Sequence, residues 1–189
     1  MSIPHNPIVP SLDDVEYDGE QFTKTNDKDS TILFDPVIKS GIIYFEVLNV
    51  GKLRGLGIAE ESVHYEREQE PRDAGKEKVV GYRYDGRLHH IGNFIHGNYR
   101  ITDGHNIGME LNMDSNPRTL TYFLDGSEQN NYATNIPASV RVWANIMFKG
   151  SSFAVSKFER LSSPKAKHGS GTVGYQYGTE WSEGGCFIL

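Results

Sequence analysis

The sequence predicts an all-β protein built as an antiparallel sandwich or barrel. Three observations lead there. Apolar residues recur at every second position over several short stretches. Asp-Gly pairs, whose glycine takes the positive φ that tight hairpins require, separate those stretches. Apolar residues nowhere recur convincingly at helical spacing. Short strands joined by glycine-rich turns, with no helices between them, bury their apolar faces against one another.

The chain is read as an N-terminal extension over residues 1–19, a folded domain over 20–161 and a flexible tail over 162–189. Its length suits one domain with a sizeable core and flexible ends. In the domain, Ile43, Phe45 and Val47 alternate with Ile42, Tyr44 and Glu46. Gly55-Leu56-Gly57-Ile58 follows, and its two glycines leave one face bare, as where another backbone approaches closely. Residues 60–78 carry dense mixed charge with Pro71 and Gly75, so they read as a long exposed loop, either facing a partner or merely solvated. Val80 to Tyr84 leads into the turn Asp85-Gly86. After Asp103-Gly104, Ile107, Met109 and Leu111 alternate with Gly108, Glu110 and Asn112. Thr119–Leu124 runs into Asp125-Gly126, with Leu120, Tyr122 and Leu124 on one face. Val140, Val142, Ala144, Ile146 and Phe148 then form an apolar face opposite Arg141, Trp143, Asn145, Met147 and Lys149. From Ser162-Ser163-Pro164 onward Gly, Ser and Thr dominate, too little apolar area to fold. A flexible tail of this length reaches about 25–30 Å. Tyr175, Tyr177 and Trp181 stand out in it, either docked back on the domain or placed at a lipid interface.

Cys186 is the only cysteine, and Cys186-Phe187-Ile188-Leu189 reads as a C-a-a-X prenylation box. Terminal Leu favours a geranylgeranyl group, and the motif implies a eukaryotic protein held peripherally on the cytosolic face of a membrane. One cysteine makes no internal disulfide, which fits a reducing cytoplasm, and no N-x-S/T sequon appears. Residues Met1 to Pro10 lack a signal peptide, no apolar run is long enough to span a bilayer, and Ser2 excludes N-myristoylation. With no second cysteine to palmitoylate, and Glu159, Glu180 and Glu183 set among or after Lys157, Arg160, Lys165 and Lys167, the anchor is expected to be reversible. The net charge of −6 argues against broad nucleic-acid binding.

No catalytic or cofactor motif stands out, and no cofactor is expected. His89 and His90 are adjacent on a strand and point to opposite faces, so with His96 they make a poor metal set. Asp103 and His105 suggest an acid–base pair but have no activated nucleophile beside them. The segment from Asn112 fails as a calcium loop, with Pro117 and Phe123 where Gly and Glu are needed. Gly55-Leu56-Gly57 lacks the helix of a phosphate cradle. Trp143 is the informative anomaly. Next to Arg141 on the polar face of its strand, it reads as an interface anchor unless the 60–78 loop or the tail covers it.

Six segments in order resemble the SPRY domain, the family that includes B30.2 modules. They are Ser40-Gly41-Ile42-Ile43-Tyr44-Phe45-Glu46-Val47, Gly55-Leu56-Gly57-Ile58, Val80 through Gly86, Gly104-His105-Asn106-Ile107-Gly108, Leu120 through Gly126 and Ile136-Pro137-Ala138-Ser139-Val140. The likeness covers roughly residues 20–160, with His105 and Asp125 departing from the family pattern. It implies a concanavalin-like jelly-roll sandwich, and a monomeric, non-enzymatic adaptor that binds a protein segment through its loops. Tyr84, Arg87 and His89 are assigned to the partner-binding edge by that resemblance, beside Trp143 and Arg141. A lectin-like sandwich binding a carbohydrate or small ligand is the alternative, and an enzyme using Asp103 and His105 a third reading.

Overall fold

The computed structural model describes residues 1–183, so Cys186 and the prenylation box lie outside the described residues. The first part of the chain forms β1 (Asn6–Ile8), β2 (Val15–Asp18), β3 (Gln21–Lys24), β4 (Ser30–Ile38), β5 (Ile42–Gly51) and β6 (Gly55–Glu60). After the charged loop come β7 (Val79–Arg83), β8 (Leu88–His89), β9 (Ile91–Gly92), β10 (Asn106–Asn112), β11 (Thr119–Leu124), β12 (Ser127–Glu128) and β13 (Asn131–Thr134). β14 (Val140–Ile146), β15 (Ser152–Leu161), β16 (Val173–Gln176) and β17 (Glu180–Trp181) complete the described chain.

Two sheets face each other. One runs β1-β4-β14-β6-β7-β8; the other runs β16-β13-β11-β10-β5-β15-β3-β2, with β12 beside β11. The alternation read from sequence sets their inner faces. Ile43, Phe45 and Val47 of β5, Ile107, Met109 and Leu111 of β10, and Val140, Val142, Ala144 and Ile146 of β14 are all buried in one core. Their registers agree, with Ile107 opposite Val47 and Leu124, and Leu111 opposite Ile43 and Leu120. A one-residue slip would turn each apolar set outward, so burial itself fixes the pairing. Phe148 does not continue the buried face. β14 ends at Ile146, and Phe148 sits in a turn whose carbonyl accepts the N–H of Ser151 at 2.8 Å and its hydroxyl at 2.6 Å.

Residues 1–19 and 162–183 belong to the fold, where the sequence reads as an extension and a flexible tail. β1 pairs with β4 and β2 with β3, and Val15 is buried. At the other end, β16 pairs in parallel with β13, and β17 in parallel with β9. Tyr175 and Trp181 enter the main core. Between them and β15, the segment at 165–168 covers the outer face of the second sheet. There the buried Glu110 accepts N–H groups from Lys165 and Ala166, while Glu128 takes those of Lys167 at 2.7 Å and His168 at 2.8 Å. Satisfying those backbone donors is what a Gly/Ser-rich composition hides from a hydrophobicity argument.

The 60–78 loop is likewise packed. It carries two short 3-10 turns, Pro71–Ala74 and Lys76–Lys78. Arg67 grips the buried Asp14 through two hydrogen bonds of 2.9 and 2.7 Å. Those bonds hold the Asp14 carboxyl down at about 2. Tyr65 donates to the Pro71 carbonyl at 2.7 Å, and Thr31 to that of Gln69 at 2.9 Å. Beneath this strap lies a second apolar cluster, where Leu33, Ala59, Val63, Tyr65 and Val79 surround Trp143.

Candidate ligand-binding cleft

One row of residues crosses four strands of the first sheet. Trp143 of β14 stands opposite Gly57 of β6, Gly57 opposite Gly81 of β7, and Gly81 opposite His89 of β8. The outer backbones in such a row are ~14 Å apart. Yet the Trp143 and His89 rings stack with centroids 6.3 Å apart, tilted by 30°. The paired glycines make that possible. A Cβ on Gly57 would lie 2.7 Å from the Trp143 ring, and one on Gly81 would lie 2.1 Å from His89 Nε2. What approaches the bare glycine face is therefore two aromatic rings, with the Val80 carbonyl close by as well.

Those rings floor a small cavity of about 60 Å3, walled by Arg54, Arg72, Arg83 and Phe94. The guanidinium groups of Arg72, Arg83 and Arg87 lie over the Phe94 ring at 4.9, 4.8 and 4.7 Å, a cation–π cluster. Three buried nitrogens at this spot have no hydrogen-bond partner among the described residues: Trp143 Nε1, His89 Nδ1 and Arg72 Nε. Burial, reinforced by Arg72 and Arg83, pulls the His89 pKa down to about 3, so its ring is neutral.

Arg54 also lines the larger neighbouring cleft of about 480 Å3, together with Lys52, Leu53, Tyr84, Ile101, Asp103 and Phe148. Tyr84 is 39% and Phe148 46% exposed. The walls are fixed by backbone bonds. Tyr84 donates to the Arg54 carbonyl at 2.9 Å and accepts from Ile101 at 2.8 Å. Asp103 accepts the Lys52 N–H at 2.8 Å, holding a turn in which Lys52 has a φ of 57°. An apolar cleft with a few placed charges is a standard binding geometry.

The architecture matches solved SPRY domains. The SPRY domain of human HERC1 superposes with a TM-score of 0.59 at 16% identity, over 82% of this chain and 99% of that one. The fold is that of a SPRY domain. A further human SPRY domain gives a TM-score of 0.59 at 11% identity, covering 80% and 97% of the two chains. The PSpry domain of TRIM65 gives 0.59 at 13%, covering 75% and 83%. No family model and no curated protein matches the sequence.

Within this SPRY fold the residues singled out from sequence are partly reunited. Tyr84 lines the cleft, His89 and Trp143 floor the adjoining cavity, and Arg87 stands beside Phe94 with its guanidinium on Asp85 at 2.6 Å. Trp143, at 1% exposure, is a buried floor and not a protruding anchor, because the 60–78 strap covers it. His89 is buried as well, at 4%. Arg141 lies two residues before Trp143, ~7 Å along the strand, and does not line the cavity. There it donates to Asp35 at 2.8 Å and to the Glu61 carbonyl at 2.9 Å. His89 and His90 face opposite ways, His90 stacking on Tyr177 at 4.3 Å, while His96 reaches Glu183. Asp103 and His105 do not meet; His105 bonds Asp125 instead. Among the described residues no three or more His, Cys, Asp or Glu side chains group as a metal set. Sequence reasoning missed Arg54, Arg72 and Arg83, which come from three separate segments, and misplaced Phe148. The Lys149-Gly150-Ser151 turn was the available signal for Phe148.

Proposed function

We propose that this domain is a non-enzymatic protein-interaction module that seats an apolar side chain of a peptide segment between Tyr84 and Phe148. The observation that carries this reading is the cleft itself. Two large aromatic side chains stand exposed on hydrogen-bonded turns around a pocket with a charged rim. Aromatic side chains in preformed pockets are the usual anchors of protein interfaces. Peptides selected from a displayed library against the intact domain provide the test. Tyr84→Ala and Phe148→Ala are each expected to weaken the selected peptides at least tenfold, about 1.4 kcal/mol. Unchanged affinity in both variants, by calorimetry, rejects the cleft as the binding site.

The second part of the proposal is a prenyl tether at Cys186, which works only with Leu189 as the free carboxyl terminus. Glu183 accepts the His96 N–H at 2.8 Å, so the folded body extends to within three residues of Cys186. Three residues span at most roughly 10 Å. A lipid there would hold the His96–Glu183 face beside the bilayer, rather than at the 25–30 Å reach of a free tail. Cys186→Ser is expected to move the protein from the membrane pellet to the supernatant; identical fractionation of variant and parent counts against the tether.

A further inference from the structure

The small cavity is a site in its own right. Trp143 Nε1 can only donate a hydrogen bond, as can Arg72 Nε, and both are buried without an acceptor. His89 Nδ1, in the tautomer that carries its proton there, is a third donor. Leaving such groups buried and unpaired forfeits their solvation without return, so the cavity favours an acceptor. A volume of about 60 Å3 exceeds the roughly 10–15 Å3 that one water needs. A water accepts two hydrogen bonds, whereas a carboxylate offers about four acceptor positions and also answers the positive charge.

The charges favour a monoanion. Three arginines line the cavity, against one carboxylate, Glu70, which is exposed at the rim. Asp29 lies 3.7 Å from Arg54, while Asp85 lies 3.7 Å from Arg83 and 2.6 Å from Arg87, so it serves two guanidinium groups. Arg72 has no salt bridge among the described residues. Counting Arg87, the four guanidinium groups stand against three carboxylates, Asp29, Asp85 and Glu70. One positive charge in excess, with three N–H donors that include Arg72 Nε, suits a carboxylate better than a dianionic phosphate.

We propose that this cavity binds a carboxylate, the side chain of an Asp or Glu in the partner segment whose apolar neighbour fills the Tyr84–Phe148 cleft. Arg54, which lines both spaces, places the two side chains close together on one ligand. The choice of a peptide as carrier rests on the interaction-module reading; the carboxylate site itself does not.

The chain holds two tryptophans, so its indole N–H region shows two signals. Trp181 donates to the Gln176 carbonyl at 2.9 Å and serves as the internal reference. Sodium acetate titrated into 15N-labelled full-length protein, at ionic strength held constant with chloride, should shift the Trp143 indole signal saturably and leave Trp181 still. Arg72→Gln should raise the acetate dissociation constant at least tenfold, with Trp181 unmoved as the control for folding. Glu70→Gln should lower it by removing a competing negative charge. A Trp143 signal that never saturates, or that answers chloride as it answers acetate, overturns the site. Inorganic phosphate binding tenfold tighter than acetate overturns the carboxylate assignment in favour of a phosphorylated ligand. In the peptide arm, exchanging the acidic residue of a selected peptide for its amide should weaken binding at least tenfold. Loss of that effect with acetate binding intact rejects the peptide carrier, while Tyr84→Ala separately tests the cleft.

Discussion

Trp181→Ala is expected to destabilise the domain by about 3–5 kcal/mol, and removal of residues 162–189 to leave a chain that does not fold. Trp181 is 1% exposed and packs against Tyr175 and His90, with ring centroids 5.5 and 5.2 Å away. Its N–H is satisfied inside its own segment by Gln176. Alanine would open a cavity in the main core, of which Trp181 is one of the largest fully buried side chains. The deletion does more. It strips β16 from β13, uncovers Tyr132, on which His168 stacks at 3.8 Å, and takes away the N–H groups that hold the buried Glu110. Tyr177, whose single hydroxyl hydrogen lies within reach of the Glu60 carboxylate at 2.7 Å and the Glu77 carbonyl at 2.8 Å, goes with it. A domain stable by some 5–15 kcal/mol does not survive losses of this size. Urea unfolding followed by far-UV circular dichroism measures both variants. A deletion variant with the parent midpoint would show that these residues are a tail after all.

That expectation runs against the composition of the segment, and the reason shows what a sequence makes legible. Period-two alternation at β5, β10, β11 and β14 identified the inner faces of both sheets, because burial on one face imposes that pattern locally. The six SPRY-like segments pointed to the fold that the comparison with solved domains supports. The stretch 162–172 carries no alternation, and its residues 165–168 are held by backbone N–H groups donated to Glu110 and Glu128 of other strands. Nothing within the segment reports such partners. Trp143 illustrates the same limit. Its strand neighbours Arg141 and Asn145 made its face look polar, yet Asn145 is buried, donating to Asp29 and to Ser30, while Arg141 is taken up by Asp35. The three arginines of the cavity come from before β6, from a 3-10 turn and from the end of β7. They converge only once the 60–78 strap is closed over the sheet.

Trp143→Ala is the second large effect, again about 3–5 kcal/mol. An exposed anchor on a polar strand face would lose little on truncation, within about 0.5 kcal/mol. Trp143 instead fills the space between the sheet and the strap, against Leu33, Val63, Tyr65 and Val79, so its removal loosens Tyr65 and the loop that carries Arg72. Trp143→Phe separates the contributions. The indole N–H has no partner among the described residues, so its loss costs no intramolecular hydrogen bond and only the smaller ring volume counts against stability. The phenylalanine variant should therefore stay folded while losing affinity for acetate, now read from the His89 ring signals. Gly57→Ala tests the same packing from the opposite side. Its Cβ would meet both the Trp143 ring and the Val80 carbonyl, an overpacking of about 1–3 kcal/mol. The Val80 carbonyl belongs to backbone and cannot give way, so combining Gly57→Ala with Trp143→Ala should relieve only part of the strain. Urea midpoints for the two single variants and the double variant give that coupling directly. Strict additivity would mean that the ring does not lie over Gly57.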